Sequence, residues 1–233
     1  MPKTHFQDLG LIDYKECWEL QEEIHDKALQ LKIKNRKEET NFPIENHLLF
    51  CEHPHVFTLG KSGDFENLKM PLTMLDSIGA KYYHINRGGD ITYHGPGQIV
   101  GYPIIDLEQF TTDLHQYLRG LEEAIILTLA EYQIEGGRYP GFTGVWLNPD
   151  DPTKARKISA IGVRVSRWVT LHGFAFNVNT DLTYFERIFP CGISDKAVTS
   201  LAKELGREVD IEEVKNVLKL NLSNVFDFDI VEK

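Results

Sequence analysis

The chain has 233 residues, enough for one large domain or two small ones with a buried core. Its 35 acidic and 25 basic side chains give a formal charge of −10, which weighs against nucleic acid or an anionic membrane as the main partner. With 42% hydrophobic and 26% charged residues the balance is globular, which excludes general disorder.

No apolar run approaches the ~20 residues needed to cross a bilayer. The opening residues, MPKTHFQDLG, lack a signal-peptide apolar segment and a transit-peptide pattern. Cys17, Cys51 and Cys191 cannot all pair and no C-x-x-C occurs, so free thiols in a reducing, cytoplasmic compartment are expected. Such thiols are usually buried small hydrophobes.

In chain order, the first predicted element is a helix over 13–31, capped by Asp13 with Glu16. Tyr14, Trp18, Gln21, Ile24, Ala28 and Leu31 recur on it at helical spacing. The charged stretch 32–42 reads as a solvated connection. Residues 47–52 read as a buried strand, followed by a turn at His53-Pro54, and 71–77 as a short helix stopped at Gly79. Two strands, 81–86 and 98–105, flank a glycine-rich loop. The clearest helix covers 112–132, with Leu114, Tyr117, Leu118, Leu121, Ile125, Leu129 and Tyr132 on one face. Strands follow at 145–147, 157–165 and 168–178, the last two joined by a tight turn near Ser166-Arg167, and a helix over 210–224 ends the series. Hairpin-linked strands mixed with helices point to one α+β domain over 1–233, with a mixed sheet flanked by helices.

Residues 87–98 read Arg-Gly-Gly-Asp-Ile-Thr-Tyr-His-Gly-Pro-Gly-Gln. Four glycines in a dozen residues allow close backbone approach to a ligand, and the polar and aromatic groups among them exceed what a plain turn needs. Neither G-x-x-x-x-G-K-[ST] nor G-x-G-x-x-G is present, so a nucleotide is not indicated. No metal site is read from the sequence. Lys157 opens a strand, and taken alone it is a surface lysine. Cys191 sits between Pro190 and Gly192 in an irregular turn, which favours a presented thiol.

Arg87 to Gln98 with Val100 and Tyr102, the strand Lys157-Ile-x-Ala-Ile-Gly162, His172-Gly-Phe-Ala-Phe-Asn-Val178 and Pro190-Cys191-Gly192 together resemble the octanoyltransferases of lipoate biosynthesis. The block from His53 to Gly60, His-Pro-His-Val-Phe-Thr-Leu-Gly, matches that family as well. The resemblance covers about residues 45–205, in the right order. It implies a fold similar to the catalytic domains of lipoate-protein and biotin-protein ligases. It also implies that an octanoyl group moves from octanoyl-acyl carrier protein, through a thioester on Cys191, to a lysine ε-amine of a lipoyl domain. The implied acceptors are 2-oxoacid dehydrogenase E2 subunits and the glycine cleavage H protein. No cofactor is implied beyond the carrier's phosphopantetheine, and neither nucleic acid nor membrane is a partner.

Carried over position by position, the resemblance makes Cys191 the nucleophile and Lys157 the acid/base partner. It makes Arg87, Gly88, Gly89, Asp90, Ile91, Thr92, Tyr93, His94, Ala160, Ile161, Gly162, Gly173, Phe174 and Ala175 the acyl-site lining. The chemistry suits those residues. A free thiol of pKa about 8.5 is only a few per cent thiolate at neutral pH, and a neighbouring ammonium favours the thiolate. His94 and His172 remain rival bases, since a Cys–His pair is the commoner device. An ATP-dependent lipoate- or biotin-type ligase is the alternative function. Lys154, Arg156, Lys157, Arg164 and Arg167 fall in an acid-free stretch, and Lys154 and Arg156 with Arg87 are the expected attraction for an acidic partner.

Overall fold

The chain is described from a computed structural model, covering residues 1–189 and 197–232. Strand β1 (Lys3–Leu11) leads into helix α1 (Tyr14–Glu38), then β2 (Asn46–Glu52), β3 (Val56–Leu59), β4 (Lys81–His84), β5 (Ile91–His94) and β6 (Gln98–Ile104). Helix α2 (Leu114–Glu131) precedes β7 (Gly136–Tyr139), β8 (Phe142–Leu147), β9 (Arg156–Ser166) and β10 (Val169–Asn177). The short β11 (Ala197–Val198), α3 (Leu201–Leu205), α4 (Ile211–Phe226) and β12 (Asp229–Glu232) complete the order.

Among the described residues, nine strands form one sheet in the order β12-β1-β2-β6-β10-β9-β8-β7, with β11 pairing parallel to β9. The pairs β12–β1 and β1–β2 are parallel and the run from β2 to β7 is antiparallel, so the sheet is mixed. A second sheet, β4-β3-β5, carries the glycine-rich segment.

The period of two along β2 decides the layering. Leu48 and Phe50 face one core with Leu121, Ile125 and Leu129 of α2 and Val214, Leu218 and Leu222 of α4. Leu49 and Cys51 face the other, with Cys17 and Ala28 of α1. Helices therefore cover both faces of the sheet, as the α+β expectation requires.

Several local expectations are corrected. Helix α1 does not stop near Leu31 but continues to Glu38, through residues expected to be a connection. Lysine, arginine and glutamate are good helix formers, and the Lys32 ammonium reaches back to Asp106 at 2.5 Å and Glu108 at 2.9 Å. The helix ends at Glu39 in the left-handed region (φ 53°). Residues 71–77 form two short 3₁₀ turns, Leu72–Met74 and Asp76–Ile78, with left-handed Gly79 closing the second. The strands flanking the glycine-rich loop lie in different sheets, and the loop itself contains β5. The β9–β10 hairpin turns through Arg167 and Trp168, both at positive φ (48° and 66°), as two-residue hairpins of the primed type require. No described helix is long and apolar enough to cross a membrane.

Candidate active site

Strands β9 and β10 meet in a register that sets Gly162 opposite Gly173, Ile161 opposite Phe174 and Ala160 opposite Ala175. Gly162, Gly173, Ala160 and Ala175, on one face by the period of two, leave the sheet surface nearly bare there, and the 87–90 segment lies on it. Gly88 N–H donates to Val163 O at 3.1 Å. A Cβ on Gly162 would stand 2.8 Å from Gly88 O, so a larger residue here pushes the segment away. The Arg87 guanidinium turns inward, its Nη2 donating to Thr58 O at 2.6 Å and to Thr58 Oγ1 at 3.0 Å. Arg87 is buried and is held by β3.

Between these layers lies a cavity of about 400 Å³. Its wall includes Arg87, Gly88, Gly89, Asp90, Ile91, Thr92 and His94 from the loop and β5, and Lys157, Ala160, Ile161 and Gly162 from β9. Gly173, Phe174 and Ala175 of β10 complete the set named from the sequence. Tyr93 is the exception and is not on the wall. Alternation along β5 sends its ring to the other side, where its hydroxyl meets His55 Nδ1 at 2.7 Å and its ring stacks on Tyr184. The sequence reading also missed wall residues from distant elements. Tyr14 opens α1, Leu114 and Leu118 lie on α2, Gly141 on the β7–β8 turn, Phe142 and Thr143 at the start of β8, and Val100 and Tyr102 on β6. Val100 and Tyr102 stood in the motif without being assigned to the site, and only long-range pairing brings the others here.

Lys157 is on the cavity wall. It pairs with Trp146 of β8 and Val198 of β11, and its Nζ lies 4.7 Å from the Trp146 ring centroid. Cys191, with Pro190 and Gly192, lies outside the described residues. The chain on either side is anchored. Phe189 N–H donates to Asn67 O at 2.8 Å, and Phe185 is on the cavity wall. On the far side Thr199 N–H donates to Lys157 O at 2.9 Å, Val198 lines the cavity, and Thr199 O accepts from Asn177 Nδ2 at 3.0 Å.

The two rival bases are both on the wall and both buried. His94 Nδ1–H donates to Gln98 Oε1 at 2.7 Å, and Gln98 Nε2 donates to Asn177 Oδ1 at 2.8 Å. Burial first, then the neighbouring His53, pushes His94 down to about 3. His172 sits within β10 at φ 62°, an unfavourable conformation for a non-glycine residue. Its Nε2–H donates to Asn86 Oδ1 at 2.8 Å. Burial, then the Arg87 and Arg164 charges, brings it down to about 3 as well. Both imidazoles are neutral at physiological pH.

The expected basic attraction is weaker than the sequence implied. Arg156 Nε donates to Glu204 Oε1 at 2.7 Å, and its Nη1 donates to Asn148 Oδ1. Lys154 is within 3.3 Å of Asp151. A distant acid, Glu204, and a local one, Asp151, thus offset two of the three cations named.

The architecture, a mixed sheet with a glycine-lined cavity against it, is that of the catalytic domains of lipoate and biotin ligases. A lipoate protein ligase from Thermoplasma acidophilum superposes with a TM-score of 0.72 at 17% identity, covering 100% of this chain and 86% of that one. Biotin protein ligase from Aquifex aeolicus superposes at 0.53 and 17% identity, over 96% of this chain and 70% of that one. Residues 13–223 match the lipoyl protein ligase A/B catalytic domain. The octanoyltransferase of Flavobacterium johnsoniae is 62% identical over 230 residues, covering 98% of this chain and 99% of that relative. The chain belongs to this family, in its octanoyltransferase branch, and is an acyltransferase.

Proposed function

We propose that the chain takes octanoyl from octanoyl-acyl carrier protein onto Cys191, then delivers it to a lysine of a lipoyl domain. The acceptors are lipoyl domains of 2-oxoacid dehydrogenase E2 subunits and the glycine cleavage H protein, and the enzyme works in the cytoplasm without a cofactor. The similar Thermoplasma ligase was studied together with its E2 lipoyl domain, which supports this acceptor class. The observation that carries the reading is the anchoring of the chain on both sides of residues 190–196. Phe185 and Val198 both line the cavity, and Val198 pairs with Lys157.

In the first half-reaction the Cys191 thiolate attacks the carrier thioester. The new C–S bond forms as the pantetheine C–S bond breaks, and the pantetheine thiolate takes the proton that Cys191 gave to Lys157. In the second, the acceptor amine attacks the Cys191 thioester. Lys157 removes the amine's proton and returns it to the Cys191 sulfur as that C–S bond breaks. Thioester exchange is nearly balanced and amide formation runs downhill, so no nucleotide is consumed. The cavity supplies binding: seven carbons beyond the carbonyl, at about 0.8 kcal/mol per buried methylene, contribute roughly 5 kcal/mol.

The test is intact-mass analysis after mixing the full chain with octanoyl-acyl carrier protein. One octanoyl adduct is expected, absent in Cys191→Ser and retained in Cys17→Ala and Cys51→Ala. An adduct on Cys17 or Cys51, or none in the wild-type chain under turnover, would sink the covalent reading.

A further inference from the structure

Behind one wall of the cavity lies a second cluster that the transfer chemistry does not use. Cys17 of α1 and Cys51 of β2 place their sulfurs 4.0 Å apart, and Cys51 Sγ is 3.5 Å from His53 Nε2. The three donor atoms lie within 4.8 Å of one another, and all three residues are completely buried. A tetrahedral ion holding sulfur at about 2.3 Å and nitrogen at about 2.05 Å needs S···S near 3.8 Å and S···N near 3.6 Å. The two measured edges fall within a few tenths of an ångström of those values.

The histidine is also turned the right way. His53 Nδ1–H donates to Ile12 O at 2.8 Å, so the lone pair is on Nε2, toward the thiols. Metal-binding histidines are generally held in this manner, the outer N–H given to a carbonyl. At present that lone pair accepts from the Tyr102 hydroxyl at 2.8 Å. A further donor stands beside the cluster. Gln21, one turn along α1, approaches Cys17 Sγ with its Nε2 at 3.8 Å, while its Oε1 is buried with no hydrogen-bond partner among the described residues.

We propose that Cys17, Cys51 and His53 form a binding site for a thiophilic divalent cation of the zinc class, with Gln21 Oε1 completing the shell. This proposal does not rest on the transfer mechanism above. Two thiols give up two protons as the ion enters, and the resulting dithiolate–cation unit is neutral. No net charge is then buried, which the dry surroundings would otherwise penalise heavily. Entry runs through the cavity, because Tyr14 and Tyr102 line it on one side and pack on His53 on the other, at ring separations of 5.0 and 6.0 Å. An ion on Nε2 takes the acceptor from the Tyr102 hydroxyl, so loading moves a residue of the cavity wall.

The experiment uses the full chain, reduced, with Cys191→Ala so that only two thiols remain. Cobalt(II) is the probe, followed by competition with zinc(II). One cobalt per chain, a sulfur-to-cobalt charge-transfer band, release of two protons per ion and displacement by zinc are expected. The band should vanish in Cys17→Ala and in Cys51→Ala, and the Kd should rise at least tenfold in His53→Gln. Circular dichroism of the metal-free variants separates loss of ligand from loss of fold, and the two alanine variants decide the matter if His53→Gln does not fold. The proposal is overturned by a band that survives Cys17→Ala, by stoichiometry well below one, or by a Cys17–Cys51 disulfide forming in place of the complex.

Discussion

Lys157, His94 and His172 differ in the work a proton asks of them. An attacking lysine amine must lose a proton whose reference pKa is about 10.4. His94 and His172, each brought down to about 3 by burial, are about seven units too weak to take it. That gap is on the order of 10 kcal/mol, more than positioning alone recovers. In the proposed mechanism that task falls to Lys157, which pairs with β11 and lines the cavity. Lys157→Ala is therefore expected to lose 10²-fold or more in both half-reactions. His94→Gln and His172→Gln should each lose less than tenfold, read as separate rates of enzyme acylation and of transfer to the acceptor. A hundredfold loss in a folded His94→Gln protein would return the base to that histidine.

At the scale of elements, the cavity exists because strands approach without side chains between them. A Cβ on Gly101 of β6 would lie 2.2 Å from Phe174 Cζ of β10, and one on Gly173 would lie 2.0 Å from Gly101 O. In Gly101→Ala the phenyl ring can give way where backbone cannot, and it sits on the cavity wall. The expected outcome is a change of preference from octanoyl toward shorter donors such as hexanoyl, measured as the ratio of kcat/KM values. An unchanged ratio in a folded variant would show that Phe174 does not limit the acyl chain. Helix α2 contributes through one buried carboxylate. Glu122 accepts from Arg119 Nη1 at 2.6 Å, Arg138 Nε at 2.9 Å and Gly144 N–H at 2.9 Å, tying the β7–β8 turn and its wall residues to the helix. Removing one partner of such a buried set costs about 3–5 kcal/mol. For a chain of this size Glu122→Ala should lower Tm by roughly 10 °C, and a fall under about 3 °C would mean the turn is held by other contacts.

Which elements were readable follows from where their information lies. Helices α2 and α4 carry their apolar stripe and their capping aspartates, Asp113 and Asp210, in local sequence. The β9–β10 hairpin was likewise legible within two residues. Strand β1 was not, because its partners β2 and β12 are separated from it by a helix and by nearly the whole chain, and it buries little beyond Thr4 and Phe6. The lysine and the loop glycines were visible as motifs. Tyr14, Leu118 and Phe142, which close the same cavity, are ordinary core-type residues until pairing brings them together. The Cys17–Cys51–His53 cluster was invisible for the same reason, its members coming from a helix, a strand and a turn with no ligand spacing.

Over the whole molecule, the packing of helices on the sheets has buried His25, His53, His94 and His172 and lowered all four, and this sets how the fold responds to acid. His53 is brought down to about 4 by burial, and His94 and His172 to about 3, against a usual value near 6.5. Between pH 6.5 and these values the unfolded chain binds protons that the folded chain refuses. Stability therefore rises with pH across that window, is fully present above about 6.5, and is lost as pH falls toward 3–4. The depressed carboxyls oppose acid over a different range. Asp13, held down by its Lys81 hydrogen bond, and Glu204, held down by Arg156, withdraw their contribution only as they protonate, below about pH 4.5. Loss of stability at pH 5 is thus a histidine effect, worth about 2 kcal/mol for one group kept neutral over 1.5 pH units. Urea unfolding should show a marked drop from pH 7 to pH 5, and His172→Gln should shrink that drop by about 2 kcal/mol while lowering stability at pH 7 less. A wild-type curve that is flat from pH 7 to 5 would mean that the imidazoles gain solvent or partners before the fold opens.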